Sequence, residues 1–168
     1  MTPAPAAGPP EVRSAGQQDI GRLVQLYETA VAELGPMRGG RHLLGLDGRG
    51  RPLEASFRQQ AQDQAQHLVV GIVGREVVGY GSCGARALPG PERLGVVQEL
   101  YVTPHARRAG VGRAMAESLM SWCRSHGCTG VDANALPGSR AVKSFFEASG
   151  FTARLLVMHR PLSKGGDG

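Results

Sequence analysis

The run Leu94–Val102 leads through a short loop into a long helical pattern, and this junction constrains the chain more than any other feature. The run is apolar on both faces except at Gln98 and Glu99, which is typical of a central strand. Thr103-Pro104 ends the strand, and an apolar stripe then predicts a helix over about Gly110–Ser125. A buried strand that is followed by such a helix favours an α/β fold.

The loop between strand and helix contains Arg107-x-x-Gly110-x-Gly112. The first N–H groups of a helix are unpaired, and the helix dipole places about half a positive charge beside them. The two glycines leave no side chain in the way of a phosphate, and Arg108 and Arg113 add to the charge of Arg107. The pattern predicts a pyrophosphate cradle. The alternative is a tight turn with solvated arginines, whereas a P-loop and the Gly-x-Gly-x-x-Gly dinucleotide motif are both excluded.

The rest of the chain shows helical and strand patterns without an internal repeat. Glu11–Ser14 predicts an edge strand, Asp19 predicts the N-cap of a helix that ends at Gly35-Pro36, and residues 37–50 are predicted as loop. The later predicted elements are a helix from Pro52 to about Gln64, strands Leu68–Val73 and Val77–Cys83, strand Thr129–Ala133, a helix from about Arg140 to Ala148 and strand Phe151–Arg160. We expect a flexible leader over residues 1–10, one domain over 11–162 and a flexible tail over 163–168.

Composition narrows the class of protein. With 168 residues, 41% hydrophobic and 20% charged, the chain is typical of a globular domain and not of a disordered one. It contains no membrane-length apolar run and no secretion signal, so we expect a cytoplasmic protein. The net charge of +5 favours a nucleic acid, a membrane surface or a phosphorylated small molecule, unless the arginine bias reflects GC-rich codons. Aromatic content of only 5% disfavours nucleic acid.

The cysteines do not indicate a disulfide framework or a metal site. Cys83, Cys123 and Cys128 are odd in number and lack the ligand spacing of a zinc site. We therefore expect at least two reduced core thiols and no metal.

The segment from Val102 to Gly112 resembles the signature of the GNAT superfamily of N-acetyltransferases. Val12-Arg13 with Asp19 is similar to the family's opening strand and helix, and residues 140–151 are similar to its late helix. The resemblance covers about residues 11–160. It implies a mixed, mostly antiparallel central sheet with splayed central strands, flanked by helices. It also implies an acetyl-CoA-dependent enzyme that moves an acyl group from the thioester to a primary amine by direct attack.

The resemblance also implies a binding site for acetyl-CoA between the splayed strands. The backbone N–H of Val102 would polarise the thioester carbonyl and stabilise the oxyanion. The residues that it assigns to binding of the co-substrate are Leu100, Tyr101, Val102, Arg107, Arg108, Ala109, Gly110, Val111, Gly112, Arg113, Ser139 and Phe146. The expected partners are then acetyl-CoA and an unidentified amine, and no membrane partner is expected. Whether the chain forms a homodimer is left open.

This chain departs from the family pattern at several positions. Phe146 stands where many members have the Tyr that protonates the leaving thiolate, and Ser139 stands where many have an Asn. Glu99 is the candidate general base, but strand alternation places it opposite Gln98 unless a bulge intervenes. Glu99 could equally be a salt-bridged carboxylate, with water relaying the proton. The alternative function is a non-catalytic CoA-binding sensor or regulatory domain.

The acceptor is expected to bind against residues 35–66 and 86–93, by the same resemblance. The first segment contains few acids, which disfavours polycationic acceptors such as aminoglycosides and polyamines. Small amino compounds, amino acids, protein N-termini and lysines all remain open. His105 is expected to be a solvated loop residue.

Overall fold

The computed structural model describes residues 8–162. The helices and strands in chain order are β1 (Glu11–Ser14), α1 (Ile20–Leu34), α2 (Gly40–Asp47), α3 (Leu53–Gln62), β2 (Gln66–Val73), β3 (Glu76–Ala87), β4 (Arg93–Val102), α4 (Val111–Ser125), β5 (Cys128–Ala133) and α5 (Arg140–Ala148). Short 3-10 turns at Gln17–Asp19 and Pro104–Ala106 precede α1 and α4. Within this part of the chain, no helix is long and apolar enough to span a bilayer.

The strands form one mixed sheet with the order β1-β2-β3-β4-β5. The first three pairs are antiparallel, whereas β4 and β5 are parallel because α4 carries the chain back across the sheet. The prediction of a mostly antiparallel sheet flanked by helices is confirmed.

Helices cover both faces of the sheet, and the alternation of β2 shows which residues face which layer. Val70 packs in a cluster with Leu23 of α1 and Phe57 of α3. Its neighbour Val69 packs on the opposite face with Met115 of α4. Each side of the central strands is therefore buried, as their apolar sequence predicts.

Glycines in the sheet let α4 approach closely. A Cβ added at Gly71 would lie 2.5 Å from Val111 Cγ2 and 2.9 Å from Met115 Sδ, and one at Gly95 would lie 2.6 Å from Cys123 Sγ. Any larger residue at these positions would push the helix away from the sheet. The glycines thus fix the position of α4, and with it the loop that precedes it.

Asp19 anchors the start of α1 in a way that differs from the expected cap. It occupies the N-cap position, but its side chain makes no capping bond to the helix. Its carboxylate instead accepts hydrogen bonds from Arg13 at 2.7 and 2.9 Å and from Gly16 N–H at 2.8 Å. These bonds, those from Arg13 above all, hold the pKa of Asp19 below its ordinary value although burial opposes them.

The prediction that residues 37–50 form a loop is wrong, because α2 occupies Gly40–Asp47. The segment is rich in glycine and arginine, so its sequence shows no clear apolar stripe. Only the side chains of Leu43 and Leu44 give the helix a partly buried face. Gly39, at φ 81°, turns the chain from α1 into α2, a left-handed conformation that glycine adopts readily.

The predicted final strand is also wrong, since residues 151–161 form no regular structure. The segment is attached by its side chains, with Arg154 Nε donating to Asp132 Oδ1 at 2.8 Å. Leu155, Leu156 and Val157 are at least 72% exposed. Apolar, β-branched composition becomes a strand only where it can pair with the backbone of a partner strand, and residues 151–161 form no such pairing with the sheet. Residues 1–7 of the expected leader and the expected tail 163–168 lie outside the described residues.

Candidate acetyl-CoA site

β4 extends beyond β5 at the carboxyl end of their parallel pair. The register ends with Val97 opposite Ala133, the last residue of β5. β4 continues to Val102, so from residue 98 onward its edge on the β5 side has no strand partner in the part of the chain that the structure describes. This open edge is where the resemblance placed the co-substrate.

The peptide N–H of Val102 points towards this open edge. Thr103 N–H donates to Val78 O of β3 at 2.8 Å. Because successive residues of a strand present their N–H groups to opposite edges, the N–H of Val102 points away from β3. The carbonyl of Val102 accepts from Arg107 Nε at 2.9 Å, which leaves the N–H as the available polar group.

The loop between β4 and α4 aligns peptide N–H groups in one short stretch. Arg108 and Gly110 have positive φ angles of 75° and 82°, respectively, and such alternation of backbone conformation forms an anion-binding nest. The first helical bond of α4 is Ala114 N–H to Gly110 O at 3.0 Å. The N–H groups of five residues therefore have no acceptor among residues 8–162. They belong to Arg108, Gly110, Val111, Gly112 and Arg113.

One amide of the predicted cradle, that of Ala109, is used within the loop itself. Arg107 N–H donates to Pro104 O and Ala109 N–H donates to Ala106 O, both at 3.3 Å. The free N–H groups thus begin at Arg108 and exclude that of Ala109.

Gly112 lies between the end of β4 and the late helix. A Cβ added there would be 3.5 Å from Val102 Cγ2 and 3.7 Å from Phe145 Cε2. A methyl group would fit, but a longer side chain would fill the space over the free N–H groups. The glycine therefore keeps the cradle open, as its place in the motif predicts.

The three arginines of the loop and of the first turn of α4 have different partners. Arg107 Nη2 lies 2.6 Å from Glu33 Oε2, so its side chain is directed to α1. Arg108 and Arg113 are exposed and have no ion pair or side-chain hydrogen bond with the described residues. Free peptide N–H groups, two available guanidinium groups and the open space at Gly112 together fit the diphosphate of coenzyme A.

Tyr101 links β4 to α1 through the same carboxylate. Its hydroxyl donates to Glu33 Oε1 at 2.6 Å. Partial burial works to raise the pKa of Glu33, but the bonds from Arg107 and Tyr101 outweigh it and the pKa is lowered. Burial first, and the bond to Glu33 second, raise the pKa of Tyr101 to about 12. This phenol is therefore a poorer proton donor than a free tyrosine.

A β-bulge brings Glu99 and Gln98 to one side of β4. Glu99 is opposite Ser82 and Val97 is opposite Cys83, so Gln98 is the extra residue. Ser82 Oγ lies 3.1 Å from Glu99 Oε2 and 3.4 Å from Gln98 Oε1. Simple alternation would have separated the two side chains, and the sequence contains no signal that requires the bulge.

Glu99 is ion-paired with Arg49, a residue that the sequence did not single out. Arg49 Nε donates to Glu99 Oε1 at 3.0 Å, and its Nη2 contacts Glu99 Oε2 and the amide oxygen of Gln60. The guanidinium is buried and stacks 3.7 Å above the ring centroid of Phe57. The alternative of a salt-bridged carboxylate is therefore the arrangement that the structure shows.

The late helix contributes an aromatic contact and no acid at the predicted position. Phe146 is buried, with its ring centroid 5.4 Å from Phe145 and 5.1 Å from Phe151. Ser139 is the half-buried N-cap of α5, and its hydroxyl makes no capping bond. Neither residue supplies a proton that is poised for a leaving thiolate.

The histidines and cysteines lie apart from this constellation. His105 is 63% exposed, with Nε2 at 3.6 Å from Glu76 Oε2, as expected for a solvated loop residue. Cys83 and Cys123 are fully buried free thiols, with Sγ atoms 3.8 Å apart. Burial raises the pKa of both thiols, most strongly for Cys83, which argues against a nucleophilic role. Among residues 8–162, no group of three or more metal-ligating side chains is clustered.

The fold therefore places an open edge of a central strand beside a set of free N–H groups at a helix N-terminus. The family model of the acetyltransferase (GNAT) family matches residues 38–151. The chain belongs to this family of N-acetyltransferases, which take the acetyl group from acetyl-CoA.

The individual proteins and structures that this chain matches share little sequence with it or match only part of it. An aminoglycoside N(6')-acetyltransferase type 1 from Klebsiella aerogenes is 38% identical over 64 residues, which are 37% of this chain and 42% of that protein. The match thus spans less than half of the relative. A Trypanosoma brucei acetyltransferase has a TM-score of 0.67 at 22% identity, over 91% of this chain and 99% of that one. The aminoglycoside acetyltransferase AAC(6')-Iy, solved with a bisubstrate analogue, has a TM-score of 0.67 at 14% identity, over 92% and 99%. At these identities the two structures show the shared fold.

Proposed function

We propose that this chain transfers an acetyl group from acetyl-CoA to a primary amine by direct attack. The observation that carries the proposal is the set of free N–H groups over residues 108–113, next to the open edge of β4. The amine nitrogen attacks the thioester carbon, the new C–N bond forms, and the C–S bond breaks as the thiolate leaves. The amine loses a proton to water and the thiolate takes one from water, so no covalent enzyme intermediate is needed.

In this proposal backbone N–H groups, rather than side chains, stabilise the developing charge and bind the co-substrate. Val102 N–H donates to the carbonyl oxygen as negative charge develops there, a contribution often worth about 2.7–4 kcal/mol for one donor. The first turn of α4 and its loop hold the diphosphate and thereby position the reacting carbon. Leu100 belongs to the same free edge of β4, while its side chain packs towards the core under α4.

Proton transfer is assigned to water rather than to a side chain. Glu99 is engaged by Arg49, the hydroxyl of Tyr101 is donated to Glu33, and Phe146 has no proton to give. A reducing, cytoplasmic compartment is supported by the free thiols of Cys83 and Cys123.

The test compares two glycines in the first turns of two helices. Gly112→Glu places a carboxylate over the free N–H groups, whereas Gly21→Glu in α1 points into open space. Calorimetry should show that Gly112→Glu loses CoA binding and that Gly21→Glu retains it, with both variants folded by circular dichroism. Equal CoA affinity in the two variants would contradict the cradle.

A second candidate function is a CoA-binding regulatory domain without turnover. It is favoured by the ion-paired Glu99 and by the absence of an acid at Phe146. Release of free CoA thiol in the presence of a broad amine panel supports the enzyme. Saturable acetyl-CoA binding with no thiol release from any amine would support the regulatory domain.

A further inference from the structure

The loop between α1 and α2 borders a half-open cavity that lies near the open edge of β4. The cavity has a volume of about 600 Å³ and is lined by Gly35, Pro36, Met37, Gly39, Arg41 and His42. Its lining begins two residues after Glu33, which is bonded to Tyr101 of β4. A Cβ added at Gly39 would lie 3.6 Å from Leu136 Cδ2, in the segment that follows β5. The cavity is therefore at the end of the sheet where β4 outruns β5.

The charge of this cavity is positive. Arg41 is exposed and has no ion pair or side-chain hydrogen bond with residues 8–162, and the ring of His42 lies against that of His159, with centroids 4.4 Å apart and planes tilted by 50°. The lining includes no acidic residue. Residues 35–66 as a whole contain five arginines and three acids, so the surroundings do not reverse this sign.

Two carboxylates at the free part of β4 are already ion-paired within the chain. Glu33 is paired with Arg107, and Glu99 is paired with Arg49. A polycationic acceptor would have to displace Arg107 from Glu33 or Arg49 from Glu99, and the second exchange would leave the buried guanidinium of Arg49 unpaired. Both pairs therefore disfavour an acceptor with several positive charges.

We propose that the acceptor is a small amine that also carries an anionic group, a carboxylate or a phosphate, and that Arg41 binds this group in the cavity. The inference rests on the proposed acetyl transfer and names its acceptor class. A guanidinium presents paired donors that match either anion, and a volume of this size suits a small molecule. With the anion at Arg41, the amine extends towards the open edge of β4.

The test uses matched amines that differ only in the anionic group. One pair is glucosamine and glucosamine 6-phosphate, the other is alaninamide and alanine, and kanamycin represents a polycation. We expect at least a tenfold higher kcat/KM, measured by CoA thiol release, for the anionic member of one pair. The pair that responds distinguishes phosphate from carboxylate. A preference for kanamycin or for the neutral members would overturn the proposal.

Arg41→Gln, with Arg58→Gln in α3 as the control, tests the position of the anion site. We expect Arg41→Gln to raise KM for the anionic amine at least tenfold while kcat and CoA affinity stay unchanged, and Arg58→Gln to change neither. Calorimetry with the CoA-saturated protein gives the same comparison without turnover. Absence of acetyl transfer with tighter binding of the anionic amine would reject the enzyme and keep the anion site. Equal binding by wild type and Arg41→Gln would reject the site.

Discussion

Arg49 and Glu99 are 50 positions apart in the sequence and form a buried ion pair at the bulge of β4. The pair ties the segment between α2 and α3 to the strand that would hold the co-substrate. The backbone N–H of Arg49 also donates to Tyr27 Oη at 2.8 Å, which holds this segment in place. Glu99 therefore has a structural role at the site, and its carboxylate is not free to act as a base.

Replacing Glu99 by Gln should therefore change turnover by less than tenfold. The amide retains an oxygen for Arg49, and water remains available to take the proton from the amine. Steady-state kinetics over pH 6–9 checks this, with thiol release as the readout. A hundredfold loss of kcat in Glu99→Gln, with CoA affinity unchanged, would instead establish Glu99 as the general base.

Arg49→Gln should destabilise the fold more than Glu99→Gln does. It leaves a partly buried carboxylate without its cation, and hydrogen bonds to charged groups contribute about 1.5–3 kcal/mol. Urea unfolding of both single variants and of the double variant gives the coupling between the residues. Additive changes in the free energy of unfolding would show that the pair contributes no specific stability.

The stability of the fold should fall in acid through Asp19. Its pKa is lowered in the folded state, mainly by Arg13, so its contribution is present above the ordinary value of 3.8 and is lost as the pH falls through the lower folded value. Asp19→Asn should lose about 1.5–3 kcal/mol at pH 7 and show a flatter acid limb. Asp47→Asn, in an exposed position at the end of α2, is the control and should match the wild type. An unchanged acid limb in Asp19→Asn would contradict the assignment.

Gly71→Ala should destabilise the fold by about 1–3 kcal/mol, the usual cost of overpacking a core. The new methyl group would meet Val111 and Met115 at less than 3 Å, whereas the control Gly130→Ala in β5 would have its nearest neighbour at 3.8 Å. Because Val111 belongs to the first turn of α4, weaker CoA binding should accompany the loss of stability. Equal unfolding free energies for the two variants would show that α4 has room to move.

The local sequence pattern was sufficient to predict β4, α4 and the loop between them. An apolar strand, a loop with two glycines and a striped helix each reflect short-range preferences, and the structure reproduces all three over residues 93–125. The buried positions of Val111, Met115 and Leu119 follow directly from helical spacing.

Features that depend on contacts distant in sequence were not predictable in this way. The bulge at Gln98 needs the register with β3, and the role of Arg49 needs a partner 50 positions away. Gly71 appears in the sequence as one glycine among 25, and its purpose is visible only against α4. The segment 151–161 fails for the opposite reason, because its strand-like composition meets no partner strand.

The proposed function requires a contact between the diphosphate of coenzyme A and the free N–H groups before and within the first turn of α4. NMR of the 15N-labelled protein, titrated with CoA, reports on each of these groups separately. The amide signals of Gly110, Val111, Gly112 and Arg113 should show the largest shifts at saturation, with those of α1 unchanged. Saturable CoA binding that leaves these four signals in place would contradict it.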